Sequence, residues 1–255
     1  MMVKNKIANV FLNIAATTIL GCSGCTFNSS LEQRIETMIH KLDKMETQLN
    51  IARLKDEIRE MEVYVQLQQE GHSALAQRYE ELATLSPNAA YFLRLGELYT
   101  AMVRFDDAER SIRKALGYSE SSLVKKNKFT AAVYTNLAVL FHRKKDYTQC
   151  IKNSQIALHH EPSYSDAYVS IGACYHDTGQ FDKAIEHLTK ALQLNPHSAH
   201  AYYNLGLSYY QLGKFYEAGK SFAAALNVNR RHKPAAEWLE RMRKENRLIA
   251  PFEKL

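Results

Sequence analysis

From Leu31 the apolar residues recur in alternating steps of four and three, at Leu31, Ile35, Met38, Leu42, Met45 and Leu49. That spacing is a heptad seam, the stripe one α-helix lays against another. After Leu49 the seam slips by two places and resumes at Ile51, Leu54, Ile58, Met61 and Val65. Neither Pro nor Gly interrupts Leu31 to Glu70. The pattern therefore predicts one long, coiled-coil-like helix over 31–70, roughly 60 Å long at about 1.5 Å per residue. Lys41 at a g-type place and Glu46 at an e-type place suit pairing between parallel strands. Two readings of the stripe stand side by side. Residues 31–70 drive a homo-oligomer, a parallel dimer or trimer, or the helix folds back and buries its stripe on the domain that follows.

Further along, the pattern becomes self-similar. Pro162 and Pro196 stand 34 residues apart, and so do Gly172 and Gly206, Tyr175 and Tyr209, Gly179 and Gly213, Phe181 and Phe215, Ala184 and Ala218, and Ala191 and Ala225. A fixed period of this length is the mark of a repeat array. Two regular copies cover 165–198 and 199–232, the second with Arg230 in place of the closing Pro. Looser copies cover 89–122 and 131–164. The first has Phe92, Leu95-Gly96, Tyr99, Phe105, Ala108 and Ala115-Leu116, with Val103 where a Gly would turn the chain. The next has Tyr134, Leu137-Ala138, Phe141, Tyr147, Cys150, Ala157-Leu158 and Pro162.

These residues resemble the tetratricopeptide repeat (TPR), whose pattern runs aromatic, Leu-Gly, Tyr, Gly, aromatic, Ala, Ala-Leu, Pro. The resemblance implies an all-α fold, a right-handed solenoid of helical hairpins, preceded here by the long helix. Gly or Ala at the eighth place and Ala at the twentieth let the two helices of a hairpin approach closely, and Pro ends the second helix. One hairpin cannot bury its apolar face alone, so copies stack. Residues 71–88 read as a degenerate half-repeat with Ala74, Leu75, Tyr79, Leu82 and Leu85 on one face. Leu123 to Thr130 is an insertion, either a longer first helix or a basic loop around Lys125, Lys126 and Lys128. Residues 234–255 supply a capping helix and tail, with Trp238, Leu239 and Met242 toward the last hairpin and Glu237, Arg241 and Lys244 toward water.

The N-terminus reads as an address. Lys4 and Lys6 precede a mostly apolar run, Ile7 to Leu20, too short for a permanent span, which needs about 20 apolar residues. Ile19-Leu20-Gly21-Cys22 resembles the lipobox of bacterial lipoproteins, although Leu20 is larger than usual there. The resemblance implies a signal peptide over 1–21, a lipidated tether over 22–30 and acylation of Cys22, with Cys25 as the alternative. By the same resemblance, Ser23 after the modified Cys permits sorting to the outer membrane, facing the periplasm.

In TPR proteins the second, fifth, ninth and twelfth places of each first helix line an inner groove. Here those places are Ala90, Leu93, Glu97 and Thr100, then Ala132, Thr135, Val139 and His142. The later repeats supply Asp166, Val169, Ala173 and His176, then His200, Tyr203, Leu207 and Tyr210. Such a wall suits a peptide or amphipathic segment; the alternative is a groove filled by the chain's own stalk or its tail, Leu248 to Leu255. Leu93, Glu97, Asp166 and Ser170 occupy the places where chaperone-binding members carry a Lys/Asn carboxylate clamp, so that clamp is missing. Asn136 and Asn204 resemble the asparagines that grip peptide backbones in some members.

Composition narrows the rest. The 255 residues are 46% hydrophobic with only 10 Gly and 5 Pro, enough apolar matter for a core and too little turn chemistry for a β-sandwich. The +6 formal charge is spread along the chain, which argues against nucleic acid. No nucleophile elbow, phosphate-cradling loop or HExxH stands in the sequence, and no His/Cys pair has ligand spacing, so neither enzyme, cofactor nor metal is expected. His142 and His176, at equivalent places, read as groove histidines, and His159-His160 as a helix end. Cys150 and Cys174 read as one buried thiol per repeat, although an oxidising compartment would permit a disulfide. The expectation is a membrane-anchored envelope lipoprotein acting as a protein-interaction scaffold or assembly factor, for pili, secretins or outer-membrane complexes. The alternatives are a docking subunit for polysaccharide-export or cell-wall enzymes, or a cytoplasmic TPR adaptor if the signal is spurious.

Overall fold

The computed structural model describes residues 29–68, 71–120, 128–245 and 247. The expected signal peptide, both lipidation candidates Cys22 and Cys25, most of the tether, the core of the insertion and the tail from Leu248 lie outside the described residues. Among the described residues every regular element is an α-helix, eleven in all. They are α1 (Ser29–Gln68), α2 (His72–Leu85), α3 (Ala89–Ala101), α4 (Phe105–Glu120), α5 (Lys128–Arg143), α6 (Tyr147–His160), α7 (Ser165–Asp177), α8 (Phe181–Leu194), α9 (Ala199–Gln211), α10 (Phe215–Val228) and α11 (Lys233–Lys244). None of them is long and apolar enough to cross a membrane.

The chain divides into two units, Met1–Arg53 and Leu54–Leu255, with the division inside α1. In the first unit the seam residues Met38, Leu42, Met45 and Leu49 are 46%, 44%, 66% and 71% exposed. In the second, the stripe of α1 is covered: Leu54 and Ile58 are buried. Polar contacts fix this part of α1 on the helices after it. Glu57 pairs with Arg78 at 3.2 Å, and Tyr79 Oη donates to Glu62 at 2.7 Å. Burial and the Glu62 carboxylate together push the Tyr79 hydroxyl well above the usual phenol range. Glu57 and Glu62 of α1 are thus tied to α2, and α3 packs next on α2.

The hairpins follow as α3/α4, α5/α6, α7/α8 and α9/α10, each second helix packing on the next first helix. A three-residue turn joins each pair, and its middle residue is left-handed in all four: Val103 (φ 62°), Lys145 (φ 61°), Gly179 (φ 76°) and Gly213 (φ 73°). Only the two regular copies place Gly there. Caps are local: the Asn88, Asp146 and Ser198 side chains accept from Ala90, Gln149 and Ala201 N–H groups. The α-turn positions therefore owe little to tertiary context.

Within each hairpin the eighth place faces the twenty-fourth. A Cβ built on Gly96 would lie 2.3 Å from Ile112, on Gly172 2.6 Å from Leu188, and on Gly206 2.7 Å from Phe222. Ile112, Leu188 and Phe222 are fully buried, so glycine is what admits a large partner. Repeat two uses the opposite solution: Ala138 stands at the eighth place and the small Ser154 at the twenty-fourth, both fully buried. The Ser154 hydroxyl finds no hydrogen-bond partner, which leaves a polar group dehydrated.

Cys150 and Cys174 are joined in a disulfide. This corrects the expectation of separate buried thiols. Cys150 is at the twentieth place of one repeat and Cys174 at the tenth of the next, and stacking brings those places together, Cα to Cα 6.8 Å. Helix α11 covers the end of the array. Leu239 and Met242 are buried against α10, and Trp238 stacks on Phe222 with centroids 5.8 Å apart. Pro234 lies in the first turn, where a missing N–H costs nothing, and His232 Nδ1 caps the Ala235 N–H.

Candidate functional site

The first helices α3, α5, α7 and α9 place the candidate wall side by side, each bonded to its neighbour through inner-face side chains. At the N-terminal end Leu93 is buried, and Glu97 is held by Arg94 at 2.8 Å. Arg94 also reaches Glu62 at 3.2 Å. Burial alone would weaken the Arg94 charge, but Glu97 and Glu62 outweigh it and hold its pKa above the ordinary value. Asn136 donates to the Ala132 carbonyl of its own helix at 3.1 Å, with Glu97 at 3.4 Å. Both of its amide protons are therefore engaged.

The centre is more open. Val139 is 39% exposed, and Val169 and Asn204 are half-buried. His142 Nε2 lies 2.9 Å from Asp177 Oδ2, an ion-pair contact not aligned as a hydrogen bond. His176 Nδ1 lies 3.1 Å from Ser208 Oγ, and Ser208 donates to the Asn204 carbonyl at 2.9 Å. With its proton so used, Ser208 accepts from His176, which places that histidine's proton on Nδ1. Burial depresses the His176 pKa, His142 adds to this, and Asp177 opposes it. Neutral His176 thus spends its one ring proton on Ser208 and keeps Nε2 as an acceptor.

The C-terminal end is closed by the chain itself. Tyr203, Leu207 and Tyr210 all pack against the cluster of α10 and α11. Tyr203 meets Phe222 and His232 with centroids 6.0 and 5.1 Å apart, and Tyr210 meets Trp238 edge-on at 4.9 Å. The Tyr210 hydroxyl donates to Glu245 and accepts from Arg247, whose guanidinium lies 5.3 Å over the ring. Tyr210 bonding and the Arg241 contact hold the Glu245 carboxyl below its ordinary pKa. These three residues, expected in the groove, mainly anchor the cap.

Sequence reasoning missed Asp177, Ser208 and Glu245 as partners of the wall, while Trp238 was expected on the last hairpin, where it meets Tyr210. A signal existed for two of them. His142 to Asp177 and Tyr210 to Glu245 each span 35 residues, from the twelfth place of one first helix to the thirteenth of the next helix that stacks on it. Among the described residues no three His, Cys, Asp or Glu side chains converge as metal ligands.

Family comparison agrees with the geometry. Residues 172–213 match the model described as TPR repeat, and residues 199–232 match the tetratricopeptide repeat. Residues 172–232 are TPR repeats. Among solved structures, the Cut9–Hcn1 hetero-tetramer of the APC/C is similar at 16% identity and a TM-score of 0.55, covering 75% of this chain and 40% of that one. A crystal structure of MamA is similar at 27% identity and a TM-score of 0.46, over 62% of this chain and 89% of that one. YrrB, described as a TPR protein with an unusual peptide-binding site, is 17% identical over 66% and 84% of the two chains, with a TM-score of 0.45. No curated protein sequence matches the chain. The TPR array and the 16% likeness establish the all-α solenoid fold.

Proposed function

We propose that the chain is an envelope lipoprotein, held to the outer membrane through Cys22 (or Cys25), whose TPR array works as a protein-interaction scaffold of the assembly-factor class. The client is a protein or extended peptide segment bound along the open centre of the wall, between Val139 and His176. Val139 is the observation that carries the binding part: a large apolar side chain 39% exposed at a groove place, when the equivalent Leu207 is packed under the cap. His176 Nε2 as an acceptor and the Asn204 side-chain amide suit the N–H and C=O groups of a peptide backbone, as recognition of an extended segment requires. The location is supported separately by the Cys150–Cys174 disulfide, because such bonds persist in oxidising compartments and are rare in reducing ones.

A photo-crosslinking amino acid at Val139, compared with one at Tyr210, tests the site in intact cells. A crosslinked product at Val139 that is absent at Tyr210 is expected. Crosslinking at neither, or equally at both, contradicts the reading.

A further inference from the structure

We infer that residues Leu31–Leu49 form a parallel, two-stranded coiled coil with a second copy of this chain. The seam slips after Leu49, and burial of the stripe changes at the slip. Its second block, after the two-place slip, is covered within the chain: Ile51, Leu54 and Ile58 are 7%, 3% and 5% exposed. Its first block is not. Met38, Leu42, Met45 and Leu49 fall at successive d, a, d and a places and are all 44–71% exposed. The slip after Leu49 rotates the stripe, so one straight partner cannot read both blocks; they serve different helices. Six apolar places at strict four-three spacing, from Leu31 to Leu49, are what a helix of the same phase covers.

Charge selects the orientation and the occupant. By heptad register the g places carry Arg34, Lys41 and Gln48, and the e places carry Glu32, Ile39 and Glu46. In a parallel pair each g place meets the e place five residues later on the partner, so Lys41 faces Glu46 of the other copy. A fully overlapping antiparallel pair would set g against g and e against e, opposing Lys41 to Lys41 and Glu32 to Glu46 of the two copies. A second copy in parallel therefore satisfies both strands with one sequence, and the reversed arrangement is penalised. The inference leans on the proposed lipid anchor in one respect: Cys22 lies nine residues before Leu31, so anchored copies would start in register and at raised effective concentration.

Cysteine crosslinking of the full chain in its membrane tests this, with palmitate labelling scored on the same cells. Leu49→Cys is at the end of the seam, adjacent to its counterpart only in a parallel pair. Lys44→Cys, on the same helix but off the seam, is the control. Rapid disulfide-linked dimer with Leu49→Cys, at least tenfold above Lys44→Cys and lost when Met45→Glu is added, is the expected result. Equal crosslinking of the two, or none with Leu49→Cys, overturns the coiled coil. The anchor is read apart from it: dimer without palmitate keeps the coiled coil and removes the anchor, and palmitate without dimer does the reverse.

Discussion

Replacing Gly206 by Ala should destabilise the array, although Ala is the better helix former. The added Cβ would lie 2.7, 2.8 and 3.0 Å from three ring atoms of Phe222, against ordinary contacts of 3.4–4 Å. The ring has nowhere to go. It is fully buried, stacked on Trp238 at 5.8 Å and tilted against Tyr203 at 6.0 Å. Overpacking of this kind costs about 1–3 kcal/mol. The helix-propensity gain of Ala over Gly returns about 1 kcal/mol. A net loss of up to about 2 kcal/mol follows, and at about 2–4 °C per kcal/mol for a chain of this size the midpoint should fall by up to roughly 8 °C. The loss should begin at the C-terminal hairpins, since a repeat array frays from its weakened end. Gly117→Ala is the internal control: Gly117 is exposed in α4, and an added Cβ meets nothing within 4 Å. That change should raise stability by about 0.5–1 kcal/mol. Urea and thermal melts followed by circular dichroism read both variants. If the two shift in the same direction, propensity and not helix–helix approach governs these glycines, and the packing argument fails.

Val103 is a β-branched residue at φ 62° and 62% exposed, so Val103→Gly removes strain of about 1–2 kcal/mol with little packing lost. Gly's greater unfolded-state entropy offsets part of this, leaving a modest rise in melting temperature; a fall refutes the strain. Opening the Cys150–Cys174 bridge, by reductant or by Ala at both positions, should lower stability by about 3 kcal/mol for a 24-residue loop; an unchanged urea midpoint counts against it. Burial depresses the pKa values of His176, His187 and His232. The unfolded chain then binds their protons first, so stability is full above about pH 6.5 and declines as the pH falls below it. Melting temperatures from pH 7.5 to 5.5 that do not fall, or a His176→Gln variant with the same slope, would refute this origin.

The repeat register was legible because each signal is local. Pro162 and Pro196 end helices, Gly179 and Gly213 supply left-handed turns, and the glycine at the eighth place marks a close approach. Even the departures were informative: Val103 stands in the same left-handed turn as those glycines, and Ala138 coincides with a small partner, Ser154. What failed to show were relations between repeats. Cys150 and Cys174 look independent until stacking aligns the twentieth place with the tenth. Tyr203, Leu207 and Tyr210 read as an apolar groove because side-chain character says nothing of what covers it; Trp238 and Arg247 do. The heptad stripe of α1 shows that a partner exists and not which one, so the separate fates of Leu42 and Leu54 emerged only with the structure.

The central claim, a lipid-bearing TPR scaffold in an oxidising compartment, is tested most directly by intact mass spectrometry of the protein extracted from its own membranes. The account predicts a chain that begins at Cys22 (or Cys25), carries acyl groups there, and lacks the two hydrogens of the Cys150 and Cys174 thiols. A chain that begins at Met1 with no lipid and both thiols free would contradict it.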